Sequence, residues 1–278
     1  MIVSVASGKG GTGKTSVAVN MALSMGNVQL LDCDVEEPNA YLLLHPEMTK
    51  KEAVYTLIPK IDRILCNTCG DCTKFCQFNA IFVASENILV FPDLCSSCGG
   101  CAIVCPRKAI TWEKYKIGTL NFGATDGVAI VFGELDVSKP MAVPVIKAVK
   151  KQIKEGGNVI LDSPPGTSCP FVETVSGSDF CLLVTEPTPF GLHDLKIAVE
   201  VLKKVGVPFG VVVNRAGVGD KKVYEYCNKE GICILMEIPY ERRMAELYSK
   251  GVPFSLEMPE WVDKFQMLYS KIKGLATR

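Results

Sequence analysis

Several features that would place this 278-residue sequence in a membrane, outside the cell or on a nucleic acid are missing. No apolar run approaches the roughly 18–20 residues that a membrane-spanning helix needs. The first residues form a strand-like run, Ile2–Ala6, rather than a secretion signal. Basic and acidic residues balance at 30 each, so no net field favours nucleic acid or acidic lipid. We therefore expect a cytoplasmic protein that binds neither membrane nor nucleic acid.

Histidine is also scarce, because His45 and His193 are the only two and neither lies in a metal-ligand pattern. Cysteine, in contrast, is abundant, with 13 residues, of which eight lie between Cys66 and Cys105. Without a secretion signal, disulfides are a poor explanation for so many cysteines, and thiolate–metal chemistry is a better one. Their clustering indicates a separate module.

Outside that module, short apolar strands alternate with segments of helical period. The predicted strands are Ile2–Ala6, Val28–Leu31, Val128–Val131, Val159–Leu161, Phe180–Val184, Phe209–Val213 and Ile232–Leu235. The predicted helices are Thr15–Met25, Lys139–Lys154, Leu192–Val205, Lys221–Lys229 and Glu260–Lys273. This alternation predicts an α/β fold with a doubly wound, mainly parallel sheet.

The alternation lapses from about Pro46 to Lys116, where the sequence becomes rich in cysteine and turns. We interpret this segment as a small domain inserted at a surface loop, because such loops tolerate insertion. The predicted boundaries give a first part of the main domain at 1–50, the insert at 51–120 and a second part at 121–278. We call the two outer parts together the body.

A phosphate-binding pattern, GxxxxGK(S/T), is present as Gly8-Lys9-Gly10-Gly11-Thr12-Gly13-Lys14-Thr15. It follows a predicted strand and precedes a predicted helix, so backbone N–H groups and the helix N-terminus would surround phosphate oxygens. Lys14 would reach the β- and γ-phosphates, and the Thr15 hydroxyl would ligate Mg²⁺. The alternative is a glycine-rich turn without a ligand.

The second lysine, Lys9, makes this loop resemble the deviant Walker A loop of the MinD/ParA/Mrp group of P-loop ATPases. In that group the early lysine reaches across a dimer interface to the partner's nucleotide. The resemblance implies a homodimer with ATP sandwiched between its copies, and catalytic roles for Lys9, Lys14 and Asp34. For Lys9 the alternative is a solvated loop lysine.

Acidic residues follow two of the predicted strands. The segment Leu30–Asp34 resembles switch I of the same group, which implies that Asp32 helps to hold Mg²⁺ through water and that Asp34 orients the attacking water. Both could instead be turn formers. The strand ending at Asp162 has the pattern of a Walker B strand, and its carboxylate would lie in the outer shell of Mg²⁺. Ser163–Thr167 resembles the DxPPGT switch II of the Mrp subgroup, whose Gly166 N–H would sense the γ-phosphate.

Two weaker patterns follow later strands. Val213-Asn214-Arg215 resembles the segment that reads adenine, and Ile238-Pro239-Tyr240 resembles the purine-side loop. The resemblance covers nearly all of residues 1–45 and 125–278. Catalysis in such a site is positioning and charge stabilisation, with no covalent step for the protein.

The eight clustered cysteines form two runs, each with the spacing CxxCxxCxxxC. The runs are Cys66, Cys69, Cys72 and Cys76, then Cys95, Cys98, Cys101 and Cys105. They resemble the bacterial ferredoxin with two [4Fe–4S] clusters, in which the fourth cysteine of a run ligates the other cluster. The resemblance implies one cluster on Cys66, Cys69, Cys72 and Cys105, and the other on Cys95, Cys98, Cys101 and Cys76.

The sequence after each run supports an internal repeat, because Ala80-Ile81 after the first run mirrors Ala109-Ile110 after the second. The insert departs from such ferredoxins at Gln77, where proline is usual. Zinc is the alternative ligand, but structural zinc sites usually have two separated CxxC pairs.

Five cysteines lie outside the runs: Cys33, Cys169, Cys181, Cys227 and Cys233. Cys33 and Cys181 are expected to be small buried residues. Cys227 and Cys233 do not form the C-terminal CxxC that Mrp-type cluster scaffolds often carry. Cys169 follows switch II and is either a plain buried or interfacial thiol or a ligand to a bridging cluster.

The whole chain resembles MinD-superfamily ATPases with an inserted ferredoxin domain. We expect an ATP- and Mg²⁺-dependent ATPase that couples switch or dimer changes to electron transfer through two [4Fe–4S] clusters, toward a redox or iron–sulfur acceptor protein. The alternative is an ATP-dependent iron–sulfur cluster carrier of the Mrp type. A third possibility is a positioning ATPase of the MinD or ParA kind. The C-terminal helical segment has mixed charge rather than a basic face for membrane binding, and a net charge near zero gives no support for a basic DNA-binding surface.

Overall fold

A computed structural model describes residues 1–84 and 87–276. Its strands are β1 (Ile2–Ala6), β2 (Val28–Asp32), β3 (Glu47–Ile61), β4 (Ile81–Ala84), β5 (Asn87–Val90), β6 (Ile110–Thr125), β7 (Val128–Leu135), β8 (Asn158–Asp162), β9 (Phe180–Thr185), β10 (Phe209–Ala216) and β11 (Ile234–Pro239). Its helices are α1 (Lys14–Met25), α2 (Ala40–Leu44), α3 (Asp71–Phe75), α4 (Gly100–Ile103), α5 (Val143–Lys150), α6 (Cys169–Val175), α7 (Pro189–Val205), α8 (Lys222–Lys229), α9 (Arg242–Ser249), α10 (Phe254–Glu257) and α11 (Glu260–Ala276).

Nine of these strands form one sheet in the order β11-β10-β9-β1-β8-β2-β7-β6-β3. The seven strands from β11 to β7 are parallel, and β6 and β3 add an antiparallel edge. The prediction of a mainly parallel α/β sheet is therefore confirmed. Functional side chains collect at the carboxyl ends of the parallel strands, which is where open α/β sheets bind ligands.

Helices cover both faces of the sheet because successive strand residues point to opposite sides. Leu30 of β2 packs into a core that contains α1 and α11 residues, whereas its neighbour Leu31 packs into a core with α5. Ile160 and Leu161 of β8 divide in the same way. The fold is doubly wound, as the near-continuous apolar strands predict.

The antiparallel edge was not predicted, although it carries the insert. β3 and β6 pair along nearly their whole lengths, from Glu47 opposite Ala124 to Ile61 opposite Ile110. The predicted insert, residues 51–120, begins and ends within these two strands. The cysteine runs thus lie at the far end of a long two-stranded ribbon whose base is part of the main sheet.

Several predicted elements differ in extent; β7, for example, continues to Leu135 rather than ending at Val131. The helix predicted over 139–154 forms only at Val143–Lys150, where Pro144 occupies its first turn, a position that proline tolerates. The strand predicted over 232–235 is found at Ile234–Pro239, since its apolar residues continue to Ile238.

Candidate functional site

The phosphate loop packs so tightly against α7 and the end of β10 that two of its glycines cannot be replaced without movement. A Cβ atom on Gly8 would lie 2.3 Å from the Asp194 carbonyl oxygen, and one on Gly13 would lie 2.4 Å from the Asn214 Nδ2. Gly13 also has a φ of 88°, which L-residues rarely adopt. The Asn214 amide donates to the Thr12 carbonyl at 2.8 Å, so the end of β10 is hydrogen bonded to the loop.

Lys14 lies at the start of α1 and faces the acidic residues that the sequence pointed to. Its Nζ is 3.1 Å from Asp34 Oδ2 and 3.8 Å from Asp162 Oδ1, and it donates to the Thr15 hydroxyl at 3.3 Å. Burial alone would lower the pKa of Lys14, but Asp162, Asp34 and Asp32 together raise it. Three carboxyl groups around one ammonium leave a site that attracts a further cation.

Asp32 and Asp162 are both fully buried at the ends of β2 and β8. Asp32 accepts hydrogen bonds from three backbone N–H groups, those of Asp34, Asn39 and Ala40, at 2.9–3.0 Å. Burial, followed by the proximity of Asp162, raises the pKa of Asp32 to about 7. Within residues 1–84 and 87–276 the Asp162 oxygens accept no hydrogen bond, and burial raises the pKa of this carboxyl as well.

These buried acids fit a hydrated magnesium ion. A buried carboxylate without hydrogen bonds is costly unless it is protonated or faces a cation. The Thr15 hydroxyl lies within 3.3 Å of the Lys14 Nζ, beside the same acids. Oxygen donors of this kind are the ligands that Mg²⁺ prefers, directly or through water.

A cavity of about 360 Å³ lies next to the phosphate loop. It is lined by Gly13 of the loop, by Asn214 and Arg215 at the end of β10, and by Pro239 and Tyr240 after β11. Its size is in the range of small-ligand sites. The structure thus brings both weak sequence patterns to one cavity beside the loop.

The structure also reveals a residue that the sequence analysis missed. Glu186, directly after β9, has Lys9 Nζ at 3.3 Å and Arg215 Nη1 at 2.7 Å. The sequence pattern that could have located Glu186 is an acidic residue directly after an apolar strand, which resembles the pattern that located Asp162 at the end of its strand. The Gly166 N–H donates to the Ser7 carbonyl at 3.1 Å, which places switch II beside the loop.

The cysteines of the insert line two separate cavities. One cavity is lined by Cys76, Cys95, Cys98 and Cys101. The other is lined by Cys66, Cys69, Cys72 and Cys105. In each cavity three cysteines come from one run and the fourth comes from the other run.

No group of three or more His, Cys, Asp or Glu side chains in the described ranges is arranged to hold a single metal ion. Each set of four cysteines lines the wall of its cavity instead. The larger of the two cavities has a volume of about 220 Å³.

The backbone around the two runs repeats every 29 residues. Left-handed φ values occur at Thr68 and Ser97, and again at Asn79 and Lys108. The Ala80 N–H donates to Cys76 Sγ at 3.3 Å, and the Ala109 N–H donates to Cys105 Sγ at the same distance. Hydrogen bonds to cysteine sulfur are among the features that tune iron–sulfur sites.

The thiols of the larger cavity have divergent surroundings. Burial raises the pKa of Cys95, and it raises that of Cys101 to about 11. The Gly100 N–H, with Ser96, lowers the pKa of the exposed Cys98. Binding of a metal group must displace the protons of such thiols.

The remaining cysteines are dispersed, and the described part of the chain contains no disulfide. Cys33, Cys181 and Cys227 are buried, whereas Cys169 and Cys233 are exposed. The expectation of buried thiols at Cys33 and Cys181 is confirmed. No helix in residues 1–84 or 87–276 is long and apolar enough to cross a membrane.

A family model and several known proteins resemble this chain along most of its length. A family model described as the CobQ/CobB/MinD/ParA nucleotide binding domain matches residues 3–254. An uncharacterised protein of Methanocaldococcus jannaschii is 31% identical over 261 residues, which cover 91% of each chain. The iron-sulfur cluster carrier protein of Pyrococcus horikoshii is 26% identical over 276 residues, covering 91% of this chain and 79% of the carrier.

Solved structures show the same fold. The septum site-determining protein MinD of Pyrococcus horikoshii, solved with Mg-ADP, superposes with a TM-score of 0.61 at 22% identity, covering 99% of this chain and 96% of the other. The cell division ATPase MinD of Pyrococcus furiosus gives 0.59 at 21% identity, covering 99% and 98%.

Proposed function

The chain belongs to the CobQ/CobB/MinD/ParA nucleotide-binding family, and we propose that it is an ATPase in which MgATP controls electron transfer through two [4Fe–4S] clusters. The observation that carries this proposal is that two cavities, each lined by four cysteines, lie on a ribbon that begins in the ATPase sheet. A cluster bound there supplies one-electron chemistry, and the protein supplies its position and its exposure.

In this proposal the body performs phosphoryl transfer by positioning alone. The loop N–H groups and Lys14 hold the phosphates, and Thr15, Asp32 and Asp162 hold Mg²⁺ directly or through water. Asp34, 3.1 Å from Lys14 in the resting chain, orients the attacking water once phosphate has taken over the lysine. Asn214, Arg215 and Pro239 contact the base.

A series of contacts supports communication between switch I and the insert. The Leu135 N–H, at the end of β7, donates to the carbonyl of Val35, the residue after Asp34, at 2.8 Å. The next residue, Asp136, binds the Lys116 ammonium of β6 at 2.9 Å. A displacement of switch I would therefore shift the end of β7 and, through Asp136, the β6 strand of the ribbon.

The loop between β7 and α5, which contains Asp136, also contacts a residue close to one of the cysteine cavities. Lys139 binds Asp93 at 3.0 Å and also contacts the Tyr115 hydroxyl, which itself donates to Asp93 at 3.0 Å. Asp93 lies two residues before Cys95, a cavity cysteine. A change in the cluster signals on addition of MgATP tests this path.

We also propose that the active form is a homodimer that encloses ATP, with Lys9 acting on the partner's nucleotide, and that a redox or iron–sulfur acceptor protein docks on the insert. A second candidate function is that of a cluster carrier. It is favoured by the relatives named iron-sulfur cluster carrier proteins, which are 23–27% identical to this chain.

An anaerobic redox titration followed by EPR, with and without MgATP, distinguishes the two functions. Electron transfer predicts two stable low-potential centres whose potentials or line shapes respond to MgATP. Replacing Asp34 with Asn should abolish ATP-dependent reduction of an acceptor while both clusters remain. Clusters that are labile and pass to apo-acceptors when ATP is added would instead support the carrier function.

A matched pair of cysteine variants tests the cluster ligands. Cys98→Ser should lower the iron content from about eight to about four atoms per chain, because one cubane loses a ligand. Cys233→Ser replaces an equally exposed cysteine outside the insert and should leave the iron content unchanged. Equal iron in both variants would contradict the assignment.

A further inference from the structure

Glu186 is a buried carboxylate that two cations share across the mouth of the nucleotide site. Its side chain is 7% exposed, and it pairs with Lys9 at 3.3 Å and with Arg215 at 2.7 Å. Glu186 and Lys9 follow β9 and β1, and Arg215 lies near the end of β10; these three strands are neighbours in the sheet. Lys9 belongs to the phosphate loop and Arg215 to the cavity beside it, so one acid contacts both sides of the site.

The acid is fixed, whereas its partners are on long, more exposed side chains. The Glu186 carbonyl accepts from the Thr188 N–H at 2.8 Å, and a Cβ on Gly191 would lie 2.2 Å from that carbonyl. The Lys9 side chain is 31% exposed and that of Arg215 51%. A movement that breaks either ion pair is therefore a movement of the cation.

The number of cations paired with Glu186 decides whether Lys9 can move away from it. Removing the only partner of a buried charge is strongly unfavourable, because the remaining charge stays desolvated. Here Arg215 still neutralises Glu186 after Lys9 has moved. A triphosphate, which carries several negative charges, can then compete with a single shared carboxylate for the Lys9 ammonium.

We infer that Glu186 is a positioning residue that holds Lys9 in the resting chain, and that Arg215 is the second counter-ion that lets Lys9 leave when ATP is bound. This inference rests on the proposed ATP-dependent dimer, in which Lys9 contacts the partner's nucleotide. It predicts opposite effects of two substitutions on ATP-dependent dimerisation. Removing the acid should free Lys9, and removing Arg215 should retain it more firmly.

Dimer formation against ATP concentration, measured by analytical ultracentrifugation in the hydrolysis-deficient Asp34→Asn background, tests these two effects. Glu186→Gln should lower the ATP concentration for half-dimerisation by about threefold to tenfold, a change of about 0.7–1.4 kcal/mol. Arg215→Gln should raise it, after correction for ATP affinity measured on the monomer. The control Glu230→Gln removes an exposed pair with Lys203, 2.9 Å long, and should change nothing.

A second measurement does not depend on dimerisation. The rate at which sulfo-NHS-acetate acylates Lys9 without nucleotide, followed by mass spectrometry, should rise at least threefold in Glu186→Gln and stay constant in Glu230→Gln. If Glu186→Gln does not fold, Glu186→Asp, whose shorter side chain withdraws the carboxylate, should show the same rise. Unchanged Lys9 acylation overturns the inference. A wild-type chain that never dimerises with ATP overturns the proposed dimer instead, while the acylation result still decides the role of Glu186.

Discussion

The body and the insert are built on different physical principles. In the body, apolar strand residues such as Leu30 and Leu31 are fully buried beneath helices on both faces. Exposed apolar side chains occur in both regions, for example Ile64 at 94% in the insert and Val137 at 92% in the body, so the difference lies in what fills the interior. Much of the interior of the insert consists of cysteines around cavities, packed beside a few isoleucines such as Ile81.

This difference indicates that the two regions depend differently on what they bind. Burial of apolar area stabilises the body without any ligand. A module of about 70 residues buries too little apolar surface to be robust by itself, and small metal-binding modules commonly fold with their metal. We therefore expect the insert, and not the body, to depend on the proposed clusters for its structure.

The largest expected effect follows from removing the clusters by anaerobic chelation. Backbone amides of residues 62–109 should exchange with solvent at least about 10²-fold faster in the apo protein, because local opening there loses its main opposing force. Amides of β1, β8 and β9 should keep their protection. Hydrogen exchange followed by mass spectrometry measures both regions in one sample.

Equal protection of the insert with and without clusters would remove the distinction between the two regions. Addition of MgADP to the apo protein serves as the reciprocal control, since it should protect the phosphate loop and leave the insert unprotected. Protection of both regions by MgADP alone would show that the insert is held by the body.

Much of the body could be predicted because its sequence signals are local. A near-continuous apolar run defines each parallel strand, and Asp32 and Asp162 mark two of the strand ends. The β3–β6 ribbon could not be predicted in the same way. Its first part, Glu47 to Ala53, is mostly exposed and polar, so no alternation marks it, and its pairing joins residues far apart in the chain.

The site was predicted to a similar extent. The phosphate-loop and switch patterns located Lys14 and Asp34, which the structure brings within 3.1 Å of each other. The Glu186 pair with Lys9 and Arg215 could not be predicted, because it depends on the order of β10, β9 and β1 in the sheet. Short patterns locate residues on one loop, but contacts between loops are set by topology.

A smaller effect is expected at a close contact between two helices of the insert. A Cβ on Gly100 of α4 would lie 2.0 Å from Cε1 of Phe75 in α3, and Phe75 lines the larger cysteine cavity. Gly100→Ala should lower the stability of the insert by about 1–3 kcal/mol, as overpacking does elsewhere. Thermal bleaching of cluster absorbance at a constant heating rate measures the change.

Two further variants show whether the loss comes from this contact. Phe75→Leu combined with Gly100→Ala should recover most of it, since the smaller side chain makes room for the methyl group. Gly274→Ala, in α11 of the body, has no heavy atom within 4 Å of the added Cβ and should be neutral or slightly stabilising. Bleaching unaffected by Gly100→Ala would mean that α3 and α4 can move apart to admit the methyl group.

Per pH unit, the smallest effect concerns the pH dependence of the body. The pKa of Asp32 is raised to about 7 by burial, with Asp162 contributing, so the folded state retains a proton that the unfolded chain has lost above its ordinary pKa of 3.8. The folded protein binds more protons than the unfolded one between these values, and its free energy of unfolding must therefore fall as pH rises through that window. The slope for one proton is at most about 1.4 kcal/mol per pH unit.

Urea denaturation of the nucleotide-free protein, followed by a spectroscopic signal from the body at several pH values between 4.5 and 7.5, measures this slope. Asp32→Asn is the comparison. The variant should be less stable at every pH, because its amide nitrogen meets the N–H groups that Asp32 accepts from. Its slope should nevertheless be flatter than that of the wild type. A wild-type slope that matches the variant would mean that Asp32 is already ionised in the resting chain. Asp32 would then be a buried carboxylate that its three backbone N–H donors stabilise, and the contrast between the two regions would be one of packing alone.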